Sequence, residues 1–386
     1  MKTYDVAIIG AGVIGSSIAF ELAAEKLRVA VFDRQRPGQE ASWAAAGMLS
    51  PAPDSPRDIP LAPLSCESLR LYPEFVAAVE ETSGRSVGYE RQGAFELFFG
   101  AQAEDECDRR VSQCKQLGIT IEALARGATP DWEDGIGRQA RAAAWLPEEG
   151  RVEPRLLTKA LLLAARRRAV EVQGECAVTD LLIQHDRCIG LVAGGEEISA
   201  GQVIVSAGCF SGQIGGSAQV LGRYAPTRPV RGQMLALQPD EFSPKRVLRT
   251  ENGYLVPRRD GRVVAGSTSE DAGFEKRVTP QGINKILDTA LKLLPSLSGA
   301  AIVETWSGLR PGTPDDLPIL GPLDIEGLLI ATGHYRNGIL LAAITAKLVR
   351  EWVVQGRTSF SVERFSPLRF AKHPLTGRRP VLSVGR

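Results

Sequence analysis

The 386-residue sequence is poor in histidine, has no excess of either charge, and contains no Cys-x-x-Cys pair and no long apolar run. Each shortage excludes something. Three histidines, His185, His334 and His373, leave few candidates for acid–base work, and only His334 is placed for it. Lys plus Arg total 46 against 45 Asp plus Glu, a net charge of +1, so nothing electrostatic favours nucleic acid or an anionic membrane. The six cysteines are scattered, at 66, 107, 114, 176, 188 and 209. Cys107 and Cys114 fall on one predicted helix about 10 Å apart, too far for a disulfide, whose Cα atoms lie roughly 4.4–6.8 Å apart. Reduced, scattered thiols predict a cytoplasmic protein. No segment reaches the ~18–20 apolar residues of a membrane helix. The apolar start, "YDVAIIGAGVIGSSIAFELA", is interrupted by Glu21 and has neither a basic leader nor a cleavage site.

What is present is ordinary globular material, 44% hydrophobic and 24% charged, long enough for two domains. Tyr4–Ile9 is a short β-branched run, as expected for a buried parallel strand. "GAGVIG" follows, placing Gly10, Gly12 and Gly15 in GxGxxG spacing, then a helical pattern to about Ala24, then "RVAVF" ending at Asp33. Gly10 permits a tight turn, Gly12 lets backbone approach a pyrophosphate, and Gly15 lets helix and strand pack closely. The helix N-terminus presents N–H groups to phosphate. Asp33, 18 residues beyond Gly15, is placed to accept from an adenosine ribose. The motif alone does not separate FAD from NAD or NADP, and Arg34 could serve a 2′-phosphate. "EASWAAAGMLSP" (Glu40 to Pro51) has almost no bulk and reads either as backbone packed against something flat or as a small-residue helix start.

Five prolines between Pro51 and Pro63 mark an irregular connection. Helices are predicted at Leu64–Glu81, Ala103–Leu117 and Leu156–Arg168, with "GAFELFFG" as a strand. "PVRGQMLAL", "GYLVPRRDGRVVAGST" and "AIVETWSGL" are strands separated by turn residues, suggesting an antiparallel sheet. The predicted fold is therefore α/β: a Rossmann-like nucleotide domain split over 1–85, 145–220 and 308–363, with an inserted, mostly antiparallel α+β substrate domain over 86–144 and 221–307. Residues 364–386 form a basic tail. Arg310, in "SGLRPGTPDD", is predicted in a rigid, largely apolar turn. A helix is predicted to start near Asn337 and Gly338, its dipole end facing the ligand.

"GAGVIG", "ASWAAAGML", "PVRGQM", "GYLVPR", "WSGLRPGTPD" and "GHYRNGILL" occur in the order found in the D-amino-acid-oxidase-like FAD-dependent oxidoreductases, and the chain resembles that family over about residues 3 to 355. It is most similar to the family's glycine-oxidase branch, associated with thiamine biosynthesis. The resemblance implies FAD, held by Gly10, Gly12, Val13, Ile14 and Gly15 at the pyrophosphate and by Asp33 and Arg34 at the ribose. It places Ala41, Ser42, Ala46, Gly47 and Met48 along the phosphate and flavin parts, and Val178 beside adenine. His334, Tyr335, Arg336, Asn337, Gly338, Ile339 and Leu340 wrap the flavin ring.

Arg310 matches the carboxylate-binding arginine, Arg336 a second arginine of the substrate site, and Tyr254 a tyrosine near the carboxylate. The implied reaction is hydride transfer from a neutral-amine substrate to FAD, imine hydrolysis, and reoxidation by O2 to give hydrogen peroxide. No acid–base residue is needed, and His334 is a turn residue. Sarcosine oxidases of the wider group attach flavin through a cysteine in the C-terminal half, whereas the last cysteine here is Cys209, so FAD is expected to be non-covalent. Asp33 stands where many relatives have Glu, and Ser269 stands where a bulkier residue is expected, widening the pocket. A small amino acid as substrate, no metal, no nucleic-acid or membrane partner, and a homo-oligomer such as a tetramer complete the expectation. The competing readings are a dehydrogenase with another acceptor, an NAD(P) enzyme, and a non-catalytic flavin-binding protein.

Overall fold

The computed structural model describes residues 2–124, 135–137, 139–240 and 244–371, and within them the chain is a mixed α/β fold on two eight-stranded sheets. The first has runs of Val, Ile and Ala at its centre: β1 (Lys2–Ile9), β2 (Val29–Phe32), β11 (Glu196–Val205) and β18 (Leu328–Thr332), all parallel. Parallel strands covered on both faces need such continuous apolar runs. β8 (Glu171–Gln173) extends the sheet beyond β2, and β17 (Ile319–Pro322) closes the other edge, in the order β17-β18-β11-β1-β2-β8. β9 (Val178–Gln184) and β10 (Arg187–Ala193) form an antiparallel arm on β11.

Register fixes where a ligand can sit. Ile9 lies opposite Phe32 on one side and Val205 on the other. The residues that follow, Gly10, Asp33 and Ser206, therefore meet at one carboxyl edge, where open α/β sheets bind ligands. One face of the sheet is covered by α1 (Val13–Ala23), α5 (Pro154–Arg167), α8 (Ala342–Gln355) and α3 (Ala62–Ser83), which share a core including Ile18, Leu64, Tyr72, Leu161 and Leu348. The strand arm and α6 (Ala218–Tyr224) lie on the other.

The second sheet has the order β16-β12-β15-β14-β13-β4-β6-β5. Its strands are β4 (Ala94–Phe98), β5 (Glu122–Leu124), β6 (Ala142–Leu146), β12 (Arg228–Gln238), β13 (Val247–Thr250), β14 (Gly253–Pro257), β15 (Val263–Gly266) and β16 (Ala301–Gly312). All pairings are antiparallel except β13 with β4. α7 (Pro280–Leu293) packs Ile286, Ala290 and Leu293 on one face. α4 (Ala103–Gln116) buries Cys107 and Cys114 against β6, both as free thiols. Between the sheets lie α2 (Ala41–Ala44) and the short pair β3 (Met48–Leu49) and β7 (Gly150–Arg151).

Three local expectations are corrected. Arg310 is not in a turn: β16 stays paired with β12 to Gly312, with Arg310 opposite Val230 and Pro311 opposite Pro229. Pro is tolerated there because β16 is an edge strand with one side free of pairing. A domain boundary at 307/308 would fall inside that strand. The helix expected from Asn337 begins at Ala342, and residues 335–341 form turns in which the Leu341 N–H donates to Asn337 O at 2.8 Å. The start of the expected basic tail is docked: Glu363–Phe365 and α9 (Leu368–Ala371) are short helices, and Arg369 pairs with Asp315 at 2.9 Å. Residues 372–386, with His373, lie outside the described residues.

Candidate active site

A cleft of about 930 Å3 runs from the carboxyl edge of the first sheet onto the face of the second, a volume within the range of cofactor and ligand sites. At the nucleotide end, Gly10 has φ +101°, and a Cβ there would lie 2.6 Å from Ser206 O. A Cβ on Gly15 would lie 1.9 Å from Gly10 O, so Gly15 sets the approach of α1 to β1 without itself lining the cleft. Gly12, Val13 and Ile14 line it, at a helix N-terminus whose first N–H groups lack intrahelical partners. Ser42 Oγ takes one of these, from Val13, at 2.8 Å.

The Asp33 carboxylate is held by the N–H groups of Ala11 (2.8 Å) and Gln35 (2.9 Å). Burial pushes its pKa up, although both hydrogen bonds oppose this. Arg34 is engaged by Glu40 at 3.2 Å and by the Phe210 ring at 3.4 Å, an arrangement that occupies the cation a 2′-phosphate would need. Ala41, Ala46, Gly47, Met48 and Val178 also line the wall, and a Cβ on Gly47 would meet Val152 O at 2.0 Å. A backbone cradle with no room for Cβ atoms, a fixed buried carboxylate and a wall of small side chains fit FAD.

At the other end, Arg310 reaches over Gly232, where a Cβ would lie 2.2 Å from its Nη1. Its guanidinium donates to Thr268 O (3.0 Å) and Ser267 Oγ (2.5 Å), both uncharged. The 267–270 segment is fixed from behind. Gln233 N–H donates to Thr268 Oγ1 at 2.9 Å, and Glu270 accepts from Gln233 Nε2 (2.7 Å) and Arg231 Nε (3.0 Å). The two aspartates downstream are taken by other cations, Asp315 by Arg369, and Asp316 by Arg57 (3.2 Å) and Arg228 (3.6 Å). Among the described residues no carboxylate lies within ion-pair distance of Arg310.

Tyr254 pairs across β14–β15 with Gly266, next to Ser267, and its hydroxyl lies 3.5 Å from Met234 Sδ. The Tyr335 N–H donates to Pro311 O at 3.2 Å, which brings the 334–340 loop beside Arg310. Arg336 stands at the mouth, 3.8 Å from Asp54, and Ser269 Oγ lies 3.5 Å from Tyr335 Oη. Asn337, Gly338 and Ile339 complete the wall. Leu340 does not line it: the side chain is in the core and its carbonyl accepts from Ser68 Oγ at 2.6 Å. His334 is buried, with Nε2 3.0 Å from Thr345 Oγ1, and burial pushes its pKa down to about 3. Its imidazole is neutral at neutral pH.

Sequence reasoning missed a charged group on the cleft wall. Arg249, opposite Tyr254 in the β13–β14 register, is ion-paired to Glu96 (2.8 Å) and Glu149 (3.0 Å), and Arg110 reaches Glu96 at 3.0 Å. Burial pushes Glu96 up, but Arg249 and Arg110 outweigh it and hold the carboxyl below its usual value. Burial prevails at Glu149, whose pKa is raised. The available signal was Glu96 itself, a charge in the middle of the apolar strand "AFELF".

A doubly wound sheet, a glycine cradle with a fixed buried acid, and an arginine facing the same cleft fit a flavin-dependent oxidoreductase. The chain belongs to the DAO family, FAD dependent oxidoreductase, whose profile matches residues 5–352. It is 33% identical over 373 residues to a glycine oxidase of Geobacillus kaustophilus, covering 95% of this chain and 97% of that protein. The crystal structure of glycine oxidase from Geobacillus kaustophilus superimposes with a TM-score of 0.90 at 31% identity, covering 97% of this chain and all of that one. The bifunctional protein ThiO/ThiG of Trichormus variabilis is 35% identical over 378 residues, 97% of this chain. The chain spans only 56% of that relative's length.

Proposed function

We propose that this chain catalyses the FAD-dependent oxidative deamination of glycine and related small amines, sarcosine and small D-amino acids among them. The products are an imine, hydrolysed to a 2-oxo acid and ammonia or amine, and hydrogen peroxide from O2. One observation carries the reading: among the described residues, Arg310 presents a guanidinium held only by neutral oxygens to the cleft that carries the FAD cradle. Bound there, FAD supplies a two-electron acceptor. Arg310 holds the substrate carboxylate by a two-pronged, charge-assisted contact, Tyr254 closes one side of the carboxylate site, and Arg336 guards the mouth. Orientation of the Cα–H to ~3–3.5 Å from its acceptor supplies much of the rate. His334, already neutral and hydrogen-bonded, is not needed as a base.

Cys209 lines the cleft, but burial pushes its thiol up to about 12, which supports non-covalent attachment of FAD. Unpaired cysteines support a reducing, cytoplasmic setting. No helix among the described residues is long and apolar enough to cross a membrane. Exposed Ile302 and Val303 on the edge strand β16 support a homo-oligomer. Similarity to the ThiO/ThiG relative supports a product that feeds thiamine thiazole synthesis. The test is an anaerobic titration of the purified yellow protein with glycine, sarcosine and D-alanine, followed by air. Bleaching that reverses in air with peroxide is expected. Bleaching that persists in air would replace O2 by another acceptor, and no bleaching with any substrate would overturn the reading.

A further inference from the structure

The small-residue wall of the cleft is gripped from behind by side chains that do not line the cleft. Trp306 Nε1 donates to Ala44 O at 3.0 Å, Arg258 Nη2 to Ala46 O at 2.6 Å, and Arg155 Nε to Trp43 O at 3.2 Å. None of the three is loosely placed. Arg155 is paired to both oxygens of Glu304 (2.9 and 3.0 Å) and lies 3.7 Å over the Trp43 ring, while Arg258 pairs with Glu153 at 2.8 Å. The Trp43 and Trp306 rings meet edge to face at 6.2 Å.

We propose that Arg258, Trp306 and Arg155 are positioning residues that aim the 44–47 backbone at the cofactor. The inference rests on the reading that FAD occupies this cleft. In a trans peptide the C=O and N–H point in opposite directions. Holding the carbonyls of Ala44 and Ala46 from the far side therefore turns the N–H groups of Ala45 and Gly47 away from the clamp, towards the cleft that both residues line. Among the described residues neither N–H has a hydrogen-bond acceptor, so both are free to donate to an acceptor atom of the cofactor. Ala and Gly at these positions let the backbone itself approach, and a Gly47 with φ +84° and Val152 O at its back cannot be replaced without strain. The clamp also explains why so featureless a run keeps one shape: its own side chains cannot hold it.

The test compares holoenzymes of wild type, Arg258→Met, Arg258→Lys, Trp306→Phe and Arg187→Met. Two readouts are used: FAD released on dilution, followed by the fluorescence of the free cofactor, and the visible absorption band of the bound flavin. Arg258→Met should weaken FAD retention about 10- to 100-fold, the loss of one charge-assisted hydrogen bond, and shift the absorption band, with Arg258→Lys restoring part of both. Trp306→Phe keeps the ring and removes one neutral donor, so about a fivefold loss is expected. Arg187→Met should leave both readouts unchanged, because Arg187 is an exposed arginine that pairs with Glu326 at 3.4 Å and does not touch the wall. Wild-type retention and spectrum in both Arg258→Met and Trp306→Phe would overturn the clamp alone, as would equal loss in Arg187→Met. A wild-type protein that takes up no FAD would overturn this proposal together with the functional reading.

Discussion

A guanidinium serves an incoming carboxylate best when no resident carboxylate has already claimed it, and the aspartates five and six residues beyond Arg310 are occupied elsewhere. Arg310→Lys keeps the charge and loses the planar fork, so kcat/KM for glycine should fall about 10- to 100-fold, mostly through KM; steady-state kinetics checks it. His334 gives a prediction of opposite kind. Its folded pKa of about 3 lies below the 6.5 of an exposed histidine, so as pH falls the unfolded chain takes up this proton first. Stability from the site is full above about pH 6.5 and declines below it, by about 1.4 kcal/mol per pH unit. Denaturant unfolding of wild type and His334→Gln at about pH 5 and pH 7 should show that slope only in the wild type. The identity of Arg310 was legible in the sequence because a lone arginine in an apolar, glycine-rich stretch asks for a partner. Its orientation was not, because Ser267, Thr268 and Gly232 are 43, 42 and 78 residues away.

Elements were legible where one local rule decides them. The strand–glycine–helix–strand opening was read from spacing, since the turn, the close packing and the acid at the end of β2 are all local. "LRPGTPDD" misled because Pro and Gly signal a turn, while pairing with β12 holds the strand through Gly312 before the turn begins. The start of α8 was misjudged by five residues because Asn337 and Gly338 resemble a helix cap but form a separate turn first. The β12–β16 pair carries a clean test. In Gly232→Ala the new methyl would lie 2.2–2.5 Å from the guanidinium of Arg310, so that side-chain tip must move. Thermal stability should change by less than about 1 kcal/mol, whereas glycine affinity should fall at least about tenfold; calorimetry and substrate titration separate the two.

At the scale of the whole molecule, the sheets meet around a cleft whose walls are held by buried charge. Arg249, Glu96, Glu149 and Arg110 balance to zero, and removing one member strands the others. Arg249→Met should cost about 3–5 kcal/mol, read as a lowered unfolding midpoint in denaturant, with little dependence on salt because the pairs are shielded from solvent. No sequence rule links these four residues: they meet only after β13, β4, α4 and the segment before β7 have come together. The division into two kinds of sheet was legible in the strand periods, whereas the face that each sheet turns to the cleft was not.

The order β17-β18-β11-β1-β2-β8 has a consequence for how the chain is made. β1 and β2 are complete by Phe32, yet β11, the second neighbour of β1, ends at Val205, and β18, which pairs with β11, ends at Thr332. β1 must wait, unpaired on one edge, until β11 has been made, and β11 in turn waits for β18. α8, which packs on α1, comes later still, at Ala342–Gln355. Contacts this distant in sequence slow folding and leave apolar strands exposed while they form. A nascent chain arrested before Leu328 should therefore be protease-sensitive throughout the first sheet, and should become resistant only when β18 and α8 have emerged.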